Sequence, residues 1–270
     1  MKSLGTLISI HKGKKLYQII YTIPIVILLL MCYPIGKVIL NTSADNRFML
    51  YVLLGMNTLL IVILLIFMRR SRPSFYFELF ENGVRLVYNN VKKEPKEILF
   101  EDISNYWQYR LPLNNQYPNI LVFEYNKKDL VGINTKFNAS SAFIKKFIER
   151  FGEIHLSILK EAISNGGRID FFLLPSTTPQ TILAEDAFLP FIKNLTFSKI
   201  SLDKFTLFDG EKAESISSIS SAKINPVTRA LTIFSTSGAV VFEYEYDLVS
   251  KPDLLLQMIN FLTEKKTVIS

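Results

Sequence analysis

Residues 16–36, LYQIIYTIPIVILLLMCYPIG, and residues 48–68, FMLYVLLGMNTLLIVILLIFM, each run 21 residues without a charged side chain. A helix rises 1.5 Å per residue, so each run would be about 31 Å long, the thickness of a bilayer's hydrocarbon core. Residues 23–31 and 59–67 are apolar on every helical face, unlike a helix lying on the surface of a soluble domain. The pattern predicts a transmembrane helical hairpin with spans at about 16–36 and 48–68. The first run is longer than a signal-peptide apolar region and ends at Pro34-Ile35-Gly36-Lys37 with no small-x-small cleavage site, so it reads as a retained span.

The net charge of +7 divides unevenly along the chain. Residues 1–72 hold nine bases (Lys2, Lys12, Lys14, Lys15, Lys37, Arg47, Arg69, Arg70, Arg72) against one acid, Asp45, leaving 22 bases and 23 acids for residues 73–270. A nucleic-acid binder needs a basic footprint on its folded part, and this one has none, so no nucleic-acid partner is expected. The bases flanking the spans outnumber those in the connecting loop, which by the positive-inside rule puts both termini in the cytoplasm. Tyr17, Tyr21, Tyr33 and Tyr51 fall near the span ends, where amphipathic rings favour the headgroup region.

Few polar or small residues interrupt the spans. Pro24 and Pro34 each remove a backbone donor from the first. In the second, Gly55 is expected to let the helices approach closely and Asn57 to donate a hydrogen bond between them. With no intramembrane charge, an ion or substrate path is disfavoured. The single cysteine, Cys32, lies inside a span and can form neither an intrachain disulfide nor a zinc cluster.

From residue 75 the periodicity turns strand-like. Residues 75–80 and 83–88 form a hairpin about Glu81-Asn82-Gly83, followed by strands at 97–100, 103–110, 120–125 and 130–134. An amphipathic helix over 140–151 carries Phe143, Ile144, Phe147, Ile148 and Phe151 on one face, with Asn138 as its N-cap and Gly152 as its stop. A separate helix is expected over 153–164, a strand over 168–174 and an exposed loop over 176–180. The order then recurs, with strands at 195–198, 201–208, 214–217, 219–224, 230–234 and 240–246 and a helix over 253–263. Residues 98–104 (Ile-Leu-Phe-Glu-Asp-Ile-Ser) align with 214–220 (Glu-Ser-Ile-Ser-Ser-Ile-Ser), and Leu121-Val122-Phe123 with Leu231-Thr232-Ile233. The alignment indicates a degenerate duplication, with the extra residues of the first copy in the loop 111–118.

A strand meander closed by one amphipathic helix resembles the pleckstrin-homology-like fold. Phe-Glu-Asp-Ile-Ser at 100–104, after the Gly83-Val84 hairpin, is similar to the W-x-D-I strand junction of bacterial pleckstrin-homology-like membrane proteins, with Phe100 in place of the Trp and Ser217-Ser218 in place of the aromatic–acid pair in the second copy. The resemblance implies an α+β membrane protein of unknown function, with an N-terminal transmembrane hairpin and two such units. The domains are then a cytosolic segment 1–15, the hairpin 16–72, a first unit 73–152, a linking helix 153–167 and a second unit 168–270.

Chemistry is sparse in the sequence. His11 and His155 are the only histidines, neither paired with a second His or Cys at ligand spacing, so no metal site is expected. His155 would have to serve any Ser–His or Cys–His system, and no Gly-x-Ser-x-Gly elbow accompanies it; it reads as a partly exposed helix residue. No glycine-rich phosphate loop occurs, and no cofactor is expected. Glu101-Asp102 and Glu185-Asp186 are adjacent pairs whose side chains diverge on a strand, so neither makes a paired-carboxylate site.

Three functions are ranked. The first is a non-enzymatic, membrane-anchored interaction module displaying its cytosolic units to a protein partner, in part by β-augmentation. The second is a sensor of anionic lipid headgroups at the inner leaflet of a bacterial cytoplasmic membrane, using Arg69, Arg70, Arg72, Lys92, Lys93 and Lys96. Phosphoinositide-reading pleckstrin-homology domains place bases around the first hairpin, whereas here that turn is the acidic Glu81-Asn82-Gly83. An enzyme with an unfamiliar site ranks third.

Overall fold

The computed structural model describes residues 3–41, 43, 47–70, 73–90, 92–109, 118, 120–126, 129–134, 136–175, 196–225 and 227–267. Helices α1 (Leu16–Asn41) and α2 (Arg47–Arg70) pack as a pair. Both are long and apolar enough to cross a membrane. Only 11% and 6% of their most apolar windows are buried, an exposure of apolar surface that the core helices of a soluble domain do not show. α1 continues through Pro24 and Pro34.

The remainder is built from antiparallel sheets and two further helices. β1 (Leu7–His11), β2 (Phe75–Phe80), β3 (Gly83–Tyr88) and β4 (Lys96–Leu99) form one four-stranded sheet in that order. A short 3-10 turn at Phe100–Asp102 leads into a three-stranded sheet of β5 (Ile103–Tyr109), β6 (Ile120–Tyr125) and β7 (Asp129–Ile133), and then into α3 (Ser140–Ser164). The second half repeats this order. β8 (Ile169–Leu173), β9 (Ser198–Leu202), β10 (Thr206–Phe208) and β11 (Ala213–Ser215) make a four-stranded sheet. A 3-10 turn at Ile216–Ser218 leads to β12 (Ile219–Ile224), β13 (Ala230–Ser235) and β14 (Val240–Glu245), then to α4 (Pro252–Thr267).

The aligned segments 98–104 and 214–220 carry matching details. Each turn buries its first residue, Phe100 or Ile216, and each following strand shifts register at its start, between Ile103 and Asn105 and between Ile219 and Ser221.

Four expectations need correction. Residues 7–11 are not part of a free segment: β1 pairs antiparallel with β2, Leu7 opposite Phe80 and His11 opposite Phe77, so the helical pair is inserted between two neighbouring strands of one sheet. The helix expected to stop at Gly152 runs unbroken to Ser164, so the separate linking helix is the second half of α3. Its N-cap is Ala139, in the left-handed region at φ 51° and without a side-chain cap; Asn138 instead gives its N–H to Lys12 O and its carbonyl to the His11 ring. The single strand expected over 201–208 is two, because Asp203 Oδ1 accepts the N–H groups of Phe205 and Thr206 and folds a turn between β9 and β10.

One continuous core joins the halves. The first half of α3 lays Phe143, Phe147 and Phe151 against the first unit, and its second half packs Leu159 and Ile163 toward α4 and β8. Phe147 is fully buried, with ring centroids 5.3 Å from both Phe100 and Phe123 and 5.9 Å from Tyr106. Phe147→Ala should therefore cost about 3–5 kcal/mol. Ile158→Ala, at a position 50% exposed on the same helix, should cost well under half of that; denaturant unfolding of both variants in detergent measures the difference.

Candidate functional site

Two places gather polar side chains: the root where the helical pair joins the first sheet, and the seam between the two units.

At the root, both chain crossings are fastened to the same unit. Lys14 N–H donates to Lys136 O (2.8 Å) and Asn138 N–H to Lys12 O (2.8 Å), while Gly13 bridges to Phe137. On the other crossing, Asn89 Nδ2 donates to Pro73 O (2.7 Å) and Asn89 N–H to Ser74 O (2.9 Å). The crossings touch at Gly13, where a Cβ would lie 2.8 Å from Pro73 Cγ, so a glycine is required there. His11 is buried here, its Nδ1 against Asn138 O at 3.0 Å and its ring edge-on to Phe143; burial holds its pKa below the usual 6.5. Tyr88 pairs with Phe75, so the β3–β4 turn that carries Lys92 and Lys93 lies at the end of the sheet where α2 enters, and the acidic Glu81-Asn82 turn lies at the far end.

The bases expected to meet headgroups separate by environment. Lys92 is exposed, and Lys93 Nζ sits 3.9 Å from the centroid of the Tyr88 ring. Lys96 is instead held in the protein, donating to Tyr125 Oη (2.7 Å) and pairing with Asp129 (3.5 Å), and the Tyr125 bond leads in raising its pKa. Arg69 is exposed on the last turn of α2. The side chain of Arg70, and all of Arg72 and of Glu185-Asp186, lie outside the described residues. Lys12, placed over Tyr76 at 5.5 Å, Lys14 and Lys136 join the root through β1 and the 134–138 loop. Their role here was not legible without the strand register.

Between the helices, Asn57 Nδ2 donates to Leu28 O (2.9 Å) and to Cys32 Sγ (3.1 Å). Gly55 needs correction as a packing residue: a Cβ there would meet nothing within 4 Å, so its side of α2 does not face α1.

At the seam, Asp253 in the first turn of α4 accepts hydrogen bonds from Tyr106 Oη (3.2 Å) and Gln108 Nε2 (3.1 Å) of the first unit and from Tyr246 Oη of the second. Burial first, and then the Asp253 charge, raises the pKa of both tyrosines. Arg229 pairs with Asp247 at 2.7 Å and its guanidinium lies 4.7 Å from the Tyr246 ring centroid. Lys251, only 9% exposed, donates its N–H to Tyr106 O (2.9 Å) and its Nζ to Ser104 O (3.0 Å). Desolvation draws its pKa from 10.5 down to about 8, against the opposing pull of Glu124 and Asp170. His155 donates Nε2–H to Phe100 O (2.8 Å) and stacks on Phe151, which makes it a packing residue.

These groups tie the units together. They line neither the groove between α1 and α2 nor the pocket of about 320 Å³ formed by Ser3, Asn82, Leu99, Glu101 and Ile154 at the far end of the first sheet. Glu101 and Asp102 are both exposed in the 3-10 turn. Among the described residues no three His, Cys, Asp or Glu side chains could hold a metal ion. No protein-family model, no curated protein and no solved structure matches this chain.

The buried lysine sets a pH signature. From about pH 8 upward the unfolded chain keeps a proton that folded Lys251 has released, its pKa drawn from 10.5 down to about 8, so stability rises with pH until the tyrosines begin to titrate. Above about 10 the trend reverses, because Tyr106, Tyr244 and Tyr246 stay protonated only in the folded chain. Unfolding midpoints of the full chain should increase from pH 8 to 10, and Lys251→Met should flatten that rise.

Proposed function

We propose that this chain is a membrane-anchored, non-enzymatic interaction module, with two pleckstrin-homology-like units displayed to a protein partner on the cytoplasmic face of a bacterial cytoplasmic membrane. The observation that carries the reading is the insertion of the helical pair between β1 and β2. A flexible tether would let the units drift from the bilayer, whereas two fastened crossings hold them at a fixed height and orientation. The repeated order of four strands, turn, three strands and helix supports the pleckstrin-homology-like reading. The flanking bases support the cytoplasmic side.

A protein partner is favoured by the outer edge of the first sheet. β1 is an edge strand with Leu7 46% and Ile10 48% exposed, an arrangement that folded proteins normally protect and that strand addition would cover. Lipid contact is the second reading, favoured by Lys92 and Lys93 in the turn beside the α2 crossing.

A photo-crosslinking amino acid placed at Ile10 or at Lys92 of the full-length chain in native membranes tests both. The proposal expects a protein adduct from position 10 that persists after a high-salt wash. Adducts only to lipid, arising from position 92, would replace it with the lipid reading; an absence of protein adducts at position 10 contradicts it.

A further inference from the structure

The second helix carries an amide that its own chain satisfies by half. Asn57 is the eleventh of the 24 residues of α2, close to the middle of the span. Both hydrogens of its Nδ2 are used, on Leu28 O and Cys32 Sγ, whereas Oδ1 accepts no hydrogen bond among the described residues. In the hydrocarbon core no water can supply the missing donor, so an unpaired carboxamide oxygen at that depth is costly. The Cys32 thiol is also a weak acceptor, which leaves one N–H easily redirected.

Asn57 lines a groove of about 390 Å³ between the helices. Met31 and Ile35 of α1 form one wall, and Leu53, Met56, Leu60 and Ile63 of α2 the other. Leu59 also lines the groove from α2; of this wall, Leu53, Met56, Leu60 and Ile63 fall at spacings of three, four and three, a seam along which one helix can receive another. In lipid every apolar face of α2 could lie against a neighbour equally well. The Asn57 oxygen distinguishes this one.

We propose that the groove is a self-association surface, filled by α2 of a second copy of this chain, with the two Asn57 amides hydrogen-bonded to each other across a two-fold axis. Each Asn57 keeps its bond to Leu28 O and turns its other N–H from the Cys32 sulfur to the partner copy's Oδ1. The exchange is reciprocal and leaves no amide group unpaired, the self-complementarity that an isologous interface requires. A two-fold axis along the membrane normal also keeps both soluble parts on one side. The inference rests on the membrane reading of α1 and α2 and is independent of what β1 binds.

The test uses the full-length chain with Cys32→Ala, reconstituted in phosphatidylcholine–phosphatidylglycerol vesicles, carrying a single Met56→Cys or, on another face of α2, Val62→Cys. Oxidation should give a disulfide dimer from position 56 and little from position 62. Adding Asn57→Leu to the Met56→Cys chain should lower the dimer association constant by roughly tenfold, the scale of one interhelical polar contact in a bilayer. Equal crosslinking at 56 and 62, a monomeric Met56→Cys chain, or a dimer indifferent to Asn57→Leu would overturn the proposal, as would a position-56 adduct in native membranes only with another protein. Alkaline carbonate extraction separates the two levels: a pelleted but monomeric chain defeats the self-association alone, and a released chain defeats the membrane reading beneath it.

Discussion

The antiparallel ladder between β1 and β2 is the constraint on which the rest of the architecture depends. Strand partners must lie about 5 Å apart along their whole paired length, yet these two are separated in the chain by both long apolar helices. Only a hairpin that leaves and returns at the same place can satisfy that demand. The ladder therefore places residues 3–15 and the sheets that follow on one side of any bilayer the helices cross, independently of the charge asymmetry. Lys14 to Lys136, Asn89 to Pro73 and the Gly13–Pro73 contact fix the crossing against the unit it enters.

A second consequence concerns rigidity between the halves. α3 runs through the glycine that would ordinarily end it. A helical glycine costs about 1 kcal/mol relative to alanine, less than the stabilisation from burying Phe143, Phe147 and Phe151 on one unit and Ile163 toward the other. The seam adds Asp253 with its three donors, the Arg229–Asp247 pair and the Lys251 bonds. A buried lysine does not stabilise the fold in itself. Its amine reaches Ser104 O of the first unit, so a separation of the two units would leave that buried charge without its acceptor.

Much of the fold was legible in the sequence because it is written in local patterns. The two apolar runs, the 75–88 hairpin and the strand patterns of β5, β6 and β12 to β14 are all carried by neighbouring residues, and the 98–104 and 214–220 alignment located a turn and a register shift that recur. What was missed depends on distant pairing or on packing. Leu7–His11 is five residues with no partner nearby in the chain, and Asn138 reads as a cap until His11 and Lys12 claim its backbone. At the root, the turn position of Lys92 and Lys93 was visible, but not that the turn lies beside the α2 crossing. The type of residue at 57 announced a polar contact between the helices, while the small residue at 55 misled, since its side faces open space.

The architecture rests on the β1–β2 pairing, and a disulfide placed across it reads that pairing directly. In a Cys32→Ala chain, Ile10 and Glu78 are cross-strand partners, within the separation a disulfide can bridge. Ile10→Cys with Glu78→Cys, oxidised mildly in intact native membranes, should form an intramolecular bond in most of the molecules and shift their mobility on a non-reducing gel. Two persistently free thiols, or thiols labelled by impermeant reagents from opposite sides of the membrane, would show that the helical pair is not inserted in the sheet.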